Sequence, residues 1–168
     1  MRSTAVCSLL AAILCSAASA QDLAARLQRL EDVDAIRRVL TDYGRYLDAR
    51  DFAAYSRLFA KDGEWVGGFG TVKGPAEIQK FMEQQIPGPN RTNTYHLLSN
   101  FEIDVRGDTA TAWSRWAFVV PDPNGRPSIA QGGRYQDTLV REAGQWKFKR
   151  REALNDIPAG GPPPSKSK

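Results

Sequence analysis

The chain has 168 residues, 23 basic and 19 acidic side chains, one histidine and two cysteines. That length suits a single domain with a core large enough to stand without disulfides. The basic excess is mild and gathers at Arg141, Lys147, Lys149, Arg150 and Arg151, which reads as a solvated strand end. A nucleic-acid surface needs a broader stripe with exposed aromatics, so no nucleic-acid partner is expected.

Residues 1–20 read as a secretory signal peptide: Arg2, an apolar run from Ala5 to Leu14, and Ala18-Ser19-Ala20 as a small-residue cleavage site. The mature chain is expected to begin at Gln21 and to be periplasmic or secreted. Cys15 follows Leu14 rather than a small residue, which argues against a lipid anchor. Both cysteines, Cys7 and Cys15, lie in this segment, so the mature chain is expected to lack disulfides and cysteine ligands. No later stretch is apolar enough to span a bilayer, and no stable membrane insertion is expected.

Leu23, Leu27, Leu30, Val33, Ile36, Leu40, Tyr43 and Leu47 recur at spacings of three and four, an amphipathic helical pattern. A break is expected near Leu30-Glu31-Asp32, with Asp32 capping a second helix. Asp51 is a good N-cap for a short helix through Phe59. Pro75 suits the first position of a helix running to about Gln85, which Pro87-Gly88-Pro89 ends. Segments 94–105, 109–120, 129–141 and 145–153 then alternate with period two, separated by short turns, and predict an antiparallel meander. A shorter strand pair is expected at 63–72, with its bend at Gly67-Gly68. The order implies an α+β domain over 21–157, its helices packed on one concave sheet face, followed by a Pro/Gly-rich disordered tail at 158–168.

Several motifs are absent or weak. Gly67-Gly68-Phe69-Gly70 with Gly74 does not fit a phosphate-binding loop and reads as a hairpin bend. Asn90-Arg91-Thr92 fits the glycosylation sequon. With one histidine and no mature cysteine, a transition-metal site is not expected, nor is a cofactor. No serine sits in a nucleophile elbow.

What remains is acid–base chemistry, for which His96 is the natural candidate. A histidine base needs a partner that fixes its tautomer and stabilises the imidazolium, usually a carboxylate. Asp48 closes the helix Tyr43-Gly44-Arg45-Tyr46-Leu47-Asp48, where the helix dipole disfavours negative charge. Either it faces a cation such as imidazolium, or it is a polar turn residue before Asp51. His96 by itself could equally be a structural histidine.

Four segments in this order carry a resemblance: LEDVDAIRRVLTDYGRYLDARDFAAYSRLFAKDGEW, GTVKGPAEIQKFM, TYHLLSNFEID and GGRYQDTLVREAGQWKFKRRE. Over residues 23 to 156 the chain resembles the SnoaL-like proteins of the nuclear transport factor 2-like superfamily. Among them it is similar to bile acid 7α-dehydratase, scytalone dehydratase and hexachlorocyclohexane dehydrochlorinase. The resemblance implies a cone-shaped α+β barrel, in which a curved mixed sheet and about three helices enclose an apolar pocket. It also implies an Asp–His dyad at Asp48 and His96, with Tyr43 matching a tyrosine five residues before the aspartate. Two positions depart from the bile acid enzyme: Val120 stands where it has an acid, and Asn155 where it has an arginine. Scytalone dehydratase's second histidine has no counterpart here.

The implied activity is a cofactor-independent lyase or isomerase, with His96 as base, Asp48 holding its ring and Tyr43 bonding an oxyanion or departing hydroxyl. Its partner would be a small apolar or cyclic molecule, and the family implies a homodimer or homotrimer. Leu98, two residues after His96, is expected to face the same way and keep the site dry. The alternatives are a non-catalytic periplasmic binding module and an assembly subunit using Trp113, Trp116 and Trp146.

Overall fold

The computed structural model describes residues 3–89 and 93–157, with side chains from Gln21 onward. The sequon at Asn90 and the 158–168 tail lie outside the described residues.

Helix α1 (Ser3–Ala49) runs without the expected break at Asp32. Asp32 is buried and does not cap; its carboxylate accepts from Gln28 Nε2 at 3.2 Å and Trp146 Nε1 at 3.1 Å, and pairs with Arg141 at 2.8 Å. These tertiary partners occupy the oxygens that a cap would have used. Ile36, Leu40, Tyr43 and Leu47 form the buried stripe of α1. Each such side chain contributes ~1.5–3 kcal/mol through the apolar surface it removes from water.

Helix α2 (Phe52–Ser56) is capped by Asp51, whose side chain accepts from Ala54 N at 2.9 Å. It stops before Phe59 because Phe59 already belongs to strand β1 (Phe59–Gly67) and lies opposite Phe148. A two-residue turn leads to β2 (Gly70–Lys73), as the glycines predict. Helix α3 (Pro75–Gln85) has the expected bounds. The meander follows as β3 (Tyr95–Arg106), β4 (Thr109–Pro121), β5 (Pro127–Glu142) and β6 (Gln145–Ile157), with β5 and β6 longer than the alternation suggested.

The six strands form one mixed sheet in the order β2-β1-β6-β5-β4-β3, antiparallel except for β1 beside β6. A register shift between Ser99 and Glu102, with Asn100 in the left-handed region at φ 54°, bends β3 and helps curve the sheet. The result is an α+β cone whose sheet is not closed: β2 and β3 are its two edges. Among the described residues no helix is long and apolar enough to cross a membrane.

Candidate functional site

The end of α1 is shaped by its own backbone. Arg50 N donates to Leu47 O at 3.2 Å and Asp51 N to Tyr46 O at 3.0 Å, while Arg50 takes a left-handed φ of 58°. This paired closure stops the helix within one residue and leaves Asp48 on its last turn. Asp48 and Gly44 share a helix face, and that face meets β3. A Cβ placed on Gly44 would lie 2.7 Å from Leu98 Cδ1 and 3.9 Å from His96 Cβ, so the glycine allows the strand to come this close.

The expected pair is in contact. His96 Nδ1 lies 2.6 Å from Asp48 Oδ1, and Asp48 Oδ2 accepts the backbone N–H of His96 at 2.8 Å. Strand β3 is a sheet edge, so this backbone donor has no strand neighbour on that side and the carboxylate takes it. Two hydrogen bonds thus offset the unfavourable position of an acid at a helix C-terminus. A carboxylate can only accept, so we assign the Nδ1–H tautomer, which leaves the Nε2 lone pair unprotonated. The His96 ring lies 4.9 Å from Phe118, its direct cross-strand neighbour, and 6.1 Å from Trp116. Only 17% of the His96 side chain and 23% of the Asp48 side chain are exposed.

Both residues line a cavity of about 430 Å³ that also includes Tyr43, Leu47, Tyr55, Trp65, Met82, Ile86 and Tyr135. Tyr43 is therefore at the site, as expected. Trp65 Nε1 donates to Tyr43 Oη at 2.9 Å. An indole nitrogen only donates, so the phenol's own proton remains available for another acceptor. Tyr55 Oη is buried nearby; it makes no hydrogen bond of normal geometry, and its closest polar influence is the Tyr43 phenol, whose ring centre is 4.7 Å from its own. Burial pushes the Tyr43 phenol above its ordinary value, partly offset by the charge of Arg151. The same cause drives Tyr55 and Tyr135 well above theirs, so the aromatic floor of the cavity is uncharged.

Leu98 does face inward, but it packs on Gly44 and is not part of the cavity wall. Of the two departures, half-buried Val120 lies outside the wall and Asn155 lies in it. Trp116 and Trp146 are buried, which removes them from an assembly surface; Trp113 alone of the three is partly exposed.

The basic cluster is not the solvated strand end expected. Arg151 is fully buried, its Nε and Nη2 each 2.9 Å from Asp137, itself buried. Its guanidinium carbon lies 3.9 Å from the Tyr43 ring centre and 4.0 Å from that of Tyr135, directly behind the cavity. Arg141 pairs with Asp32 and Asp108, Lys147 with Glu142, Lys149 with Asp62, and Arg150 with Glu64 and Glu152.

Sequence reasoning also missed Trp65, Arg50, Thr94 and Gln131, all in the cavity wall. Period-two alternation places Gln131 on a strand, but its face depends on the register with β4. Among the described residues, no three His, Cys, Asp or Glu side chains gather so as to hold a metal ion.

A family model described as a SnoaL-like domain matches residues 28–152. A nuclear transport factor 2-like protein with a cystatin-like fold from Novosphingobium aromaticivorans is 32% identical, with TM-score 0.70 over 82% of this chain and 88% of that one. A candidate scytalone dehydratase from the same organism is 28% identical, with TM-score 0.63 over 80% of this chain and 97% of that one. LinA, at 23% identity, shares the fold with TM-score 0.67 over 82% of this chain and 98% of that one. No curated protein matches the sequence.

Proposed function

This chain belongs to the SnoaL-like domain family, with the nuclear transport factor 2-like fold, and on that premise we propose that it is a cofactor-independent lyase or isomerase of the dehydratase type. Its substrate is a small apolar or cyclic molecule held in the 430 Å³ cavity. The observation that carries the reading is the 2.6 Å contact between Asp48 and His96 in the wall of an aromatic cavity.

In this reading His96 Nε2 removes a proton from carbon next to a carbonyl, and the C–H electron pair moves onto the carbonyl oxygen. Asp48 keeps the ring oriented and stabilises the imidazolium. In a dehydration the carbonyl reforms, the β-carbon–oxygen bond breaks, and the departing hydroxyl takes the proton from the His96 imidazolium to leave as water, which returns His96 to its neutral form. Tyr43, in the same cavity wall, hydrogen-bonds the developing oxyanion or that leaving group in this reading. In an isomerisation the imidazolium returns its proton to a different carbon. The candidate scytalone dehydratase among the similar structures supports the reaction class.

The decisive experiment is to identify the small molecule that co-purifies with the protein or stabilises it to heat, and to follow its conversion. Turnover that disappears in His96→Ala while binding persists supports the proposal. Unchanged conversion by a folded His96→Ala variant would overturn it. The aromatic walls also suit a non-catalytic binder of an apolar molecule, and in that case no conversion is seen with wild type.

Two further parts of the proposal concern location and assembly. Export through residues 1–20 rests on their charged, apolar and small-residue regions, and the mass of the secreted protein should correspond to a start at Gln21. Tyr95, Leu97, Ile129 and Ile157 are exposed on the outer sheet face and aligned by strand register, which supports a homodimer or homotrimer through that face. Solution mass of the wild type and of Leu97→Glu tests this.

A further inference from the structure

The apolar residues of α1 do not form one straight stripe. Leu27, Leu30, Val33 and Ile36 follow one another at steps of three, and in an unbroken α-helix each such step turns the stripe by roughly 60°. Leu23, Leu27 and Leu30 therefore lie roughly 140° around the helix from Ile36, Leu40, Tyr43 and Leu47, which face the core. Their exposure agrees, at 65%, 54% and 67%. Every residue from Gln21 to Glu31 is exposed, so this part of α1 runs past the domain with three leucines turned away from it. On the side toward the domain, Arg29 pairs with Asp104 at 3.6 Å and Gln28 bonds Asp32. Arg26 and Glu31 flank the leucines, one on each side, and among the described residues neither side chain has an ion-pair or hydrogen-bond partner.

We propose that this stripe pairs with the same stripe of a second copy of the chain, the two helices running parallel. Leu23, Leu27 and Leu30 fit the d, a and d positions of a heptad, Arg26 the g position and Glu31 the e position that follows. In a parallel pair a g residue meets the partner's e residue five positions on. Arg26 of each copy thus meets the opposite charge of the partner's Glu31, twice by symmetry. An antiparallel pair would set arginine flank against arginine flank and glutamate against glutamate. Asp34 and Arg37, at the next a and d positions, are exposed charges and end the seam. The segment needs no partner to be helical, because it continues a helix already anchored in the core. Six leucines bury less than the ~1,200 Å² of a standard interface, so the pairing is weak by itself. It uses a different surface from the outer sheet face.

Disulfide crosslinking of Leu23→Cys in the full chain, at high micromolar concentration with diamide as oxidant, tests the pairing. In a parallel pair the two thiols at position 23 face each other, whereas in an antiparallel pair each would face position 30. Leu23→Cys should give a dimer on a non-reducing gel that wild type, with Cys7 and Cys15, does not. Adding Leu27→Glu should abolish it. Adding Arg26→Glu instead should lower the yield roughly three- to tenfold, since two exposed ion pairs become two repulsions, and Glu31→Arg on top should restore it. These side chains are exposed, so the melting temperature should stay unchanged throughout, which excludes unfolding as the cause of a lost crosslink. Leu97→Glu, on the outer sheet face, should leave the crosslink in place. The proposal is overturned by a Leu23→Cys dimer no stronger than the wild-type background, by one that survives Leu27→Glu, or by one that disappears with Leu97→Glu. Preferential joining of Leu23→Cys to Leu30→Cys chains in a mixture would also overturn it. So would capture of wild type, but not of Leu27→Glu, by phosphatidylglycerol vesicles where Leu23→Cys does not crosslink, because the stripe would then serve a lipid surface.

Discussion

Asp48 holds His96 twice, at the ring nitrogen by 2.6 Å and at the backbone nitrogen by 2.8 Å. The second bond joins the end of α1 to the free edge of the sheet, so one carboxylate both orients the imidazole and closes that edge. The two tasks can be separated by substitution. Asp48→Asn keeps an oxygen for one of the two donors but cannot stabilise an imidazolium. It should lose most of the rate while retaining the fold, with melting temperature and turnover measured on the same sample. Tyr43→Phe should cost less, on the order of tenfold to a thousandfold in rate, as expected for one hydrogen bond to developing charge.

Gly133 is the position where a methyl group cannot be absorbed. A Cβ there would lie 1.9 Å from the carbonyl oxygen of Leu154 and 3.0 Å from Trp116 Nε1. The first clash is with backbone, so β5 and β6 must separate at the point where Gly133 pairs with Asn155. Gly133→Ala should therefore destabilise by about 3 kcal/mol, read as a shift in the denaturant midpoint. Because Trp116 and Asn155 both line the cavity, ligand affinity should fall as well.

The buried pair of Arg151 and Asp137 predicts strong non-additivity. Arg151→Met leaves a carboxylate in the core without its cation and should cost about 3–5 kcal/mol. Arg151→Met combined with Asp137→Leu removes both charges and should cost less than either single change. A double-mutant cycle from urea unfolding measures the coupling. Costs that simply add would show that the two side chains do not act as a pair.

Asp32 should make the fold sensitive to acid. Burial alone would raise its carboxyl, but hydrogen bonds from Arg141, Trp146 and Gln28 outweigh this and hold it below its ordinary value of 3.8. The folded value thus lies below the unfolded one. The stability it contributes is complete above pH 3.8 and is lost as pH falls through the folded value. Asp32→Asn should destabilise at neutral pH by about 1–3 kcal/mol. The gap between variant and wild type should narrow in acid, as followed by melting temperature against pH.

Local physics decided a good part of this protein from sequence. Asp51 caps α2 because a side-chain oxygen two or three residues from an open N–H does so wherever it occurs, and Pro75 opens α3 because its fixed φ already suits a helix. Alternation placed the four meander strands, and short turns between them forced antiparallel neighbours. The identities of Tyr43, Asp48 and His96 as cavity residues were legible from the helix, the strand and the resemblance together.

Only the tertiary structure decided the rest, where one side chain's fate depended on a partner far along the chain. Asp32 looked like a cap because its partners, Arg141 and Trp146, lie more than a hundred residues away. Arg151 sat in a basic run and looked solvated, yet Asp137 on the adjacent strand and the faces of Tyr43, Tyr135 and Phe148 make it a core residue. Gln131 gained its place from the register between β4 and β5, since a shift of one residue would turn it to solvent. Period and capping are properties of a few consecutive residues, so a sequence displays them. Burial, ion pairing and the composition of a cavity wall are set by which strands meet in which register, and those pairings exist only once the chain has folded.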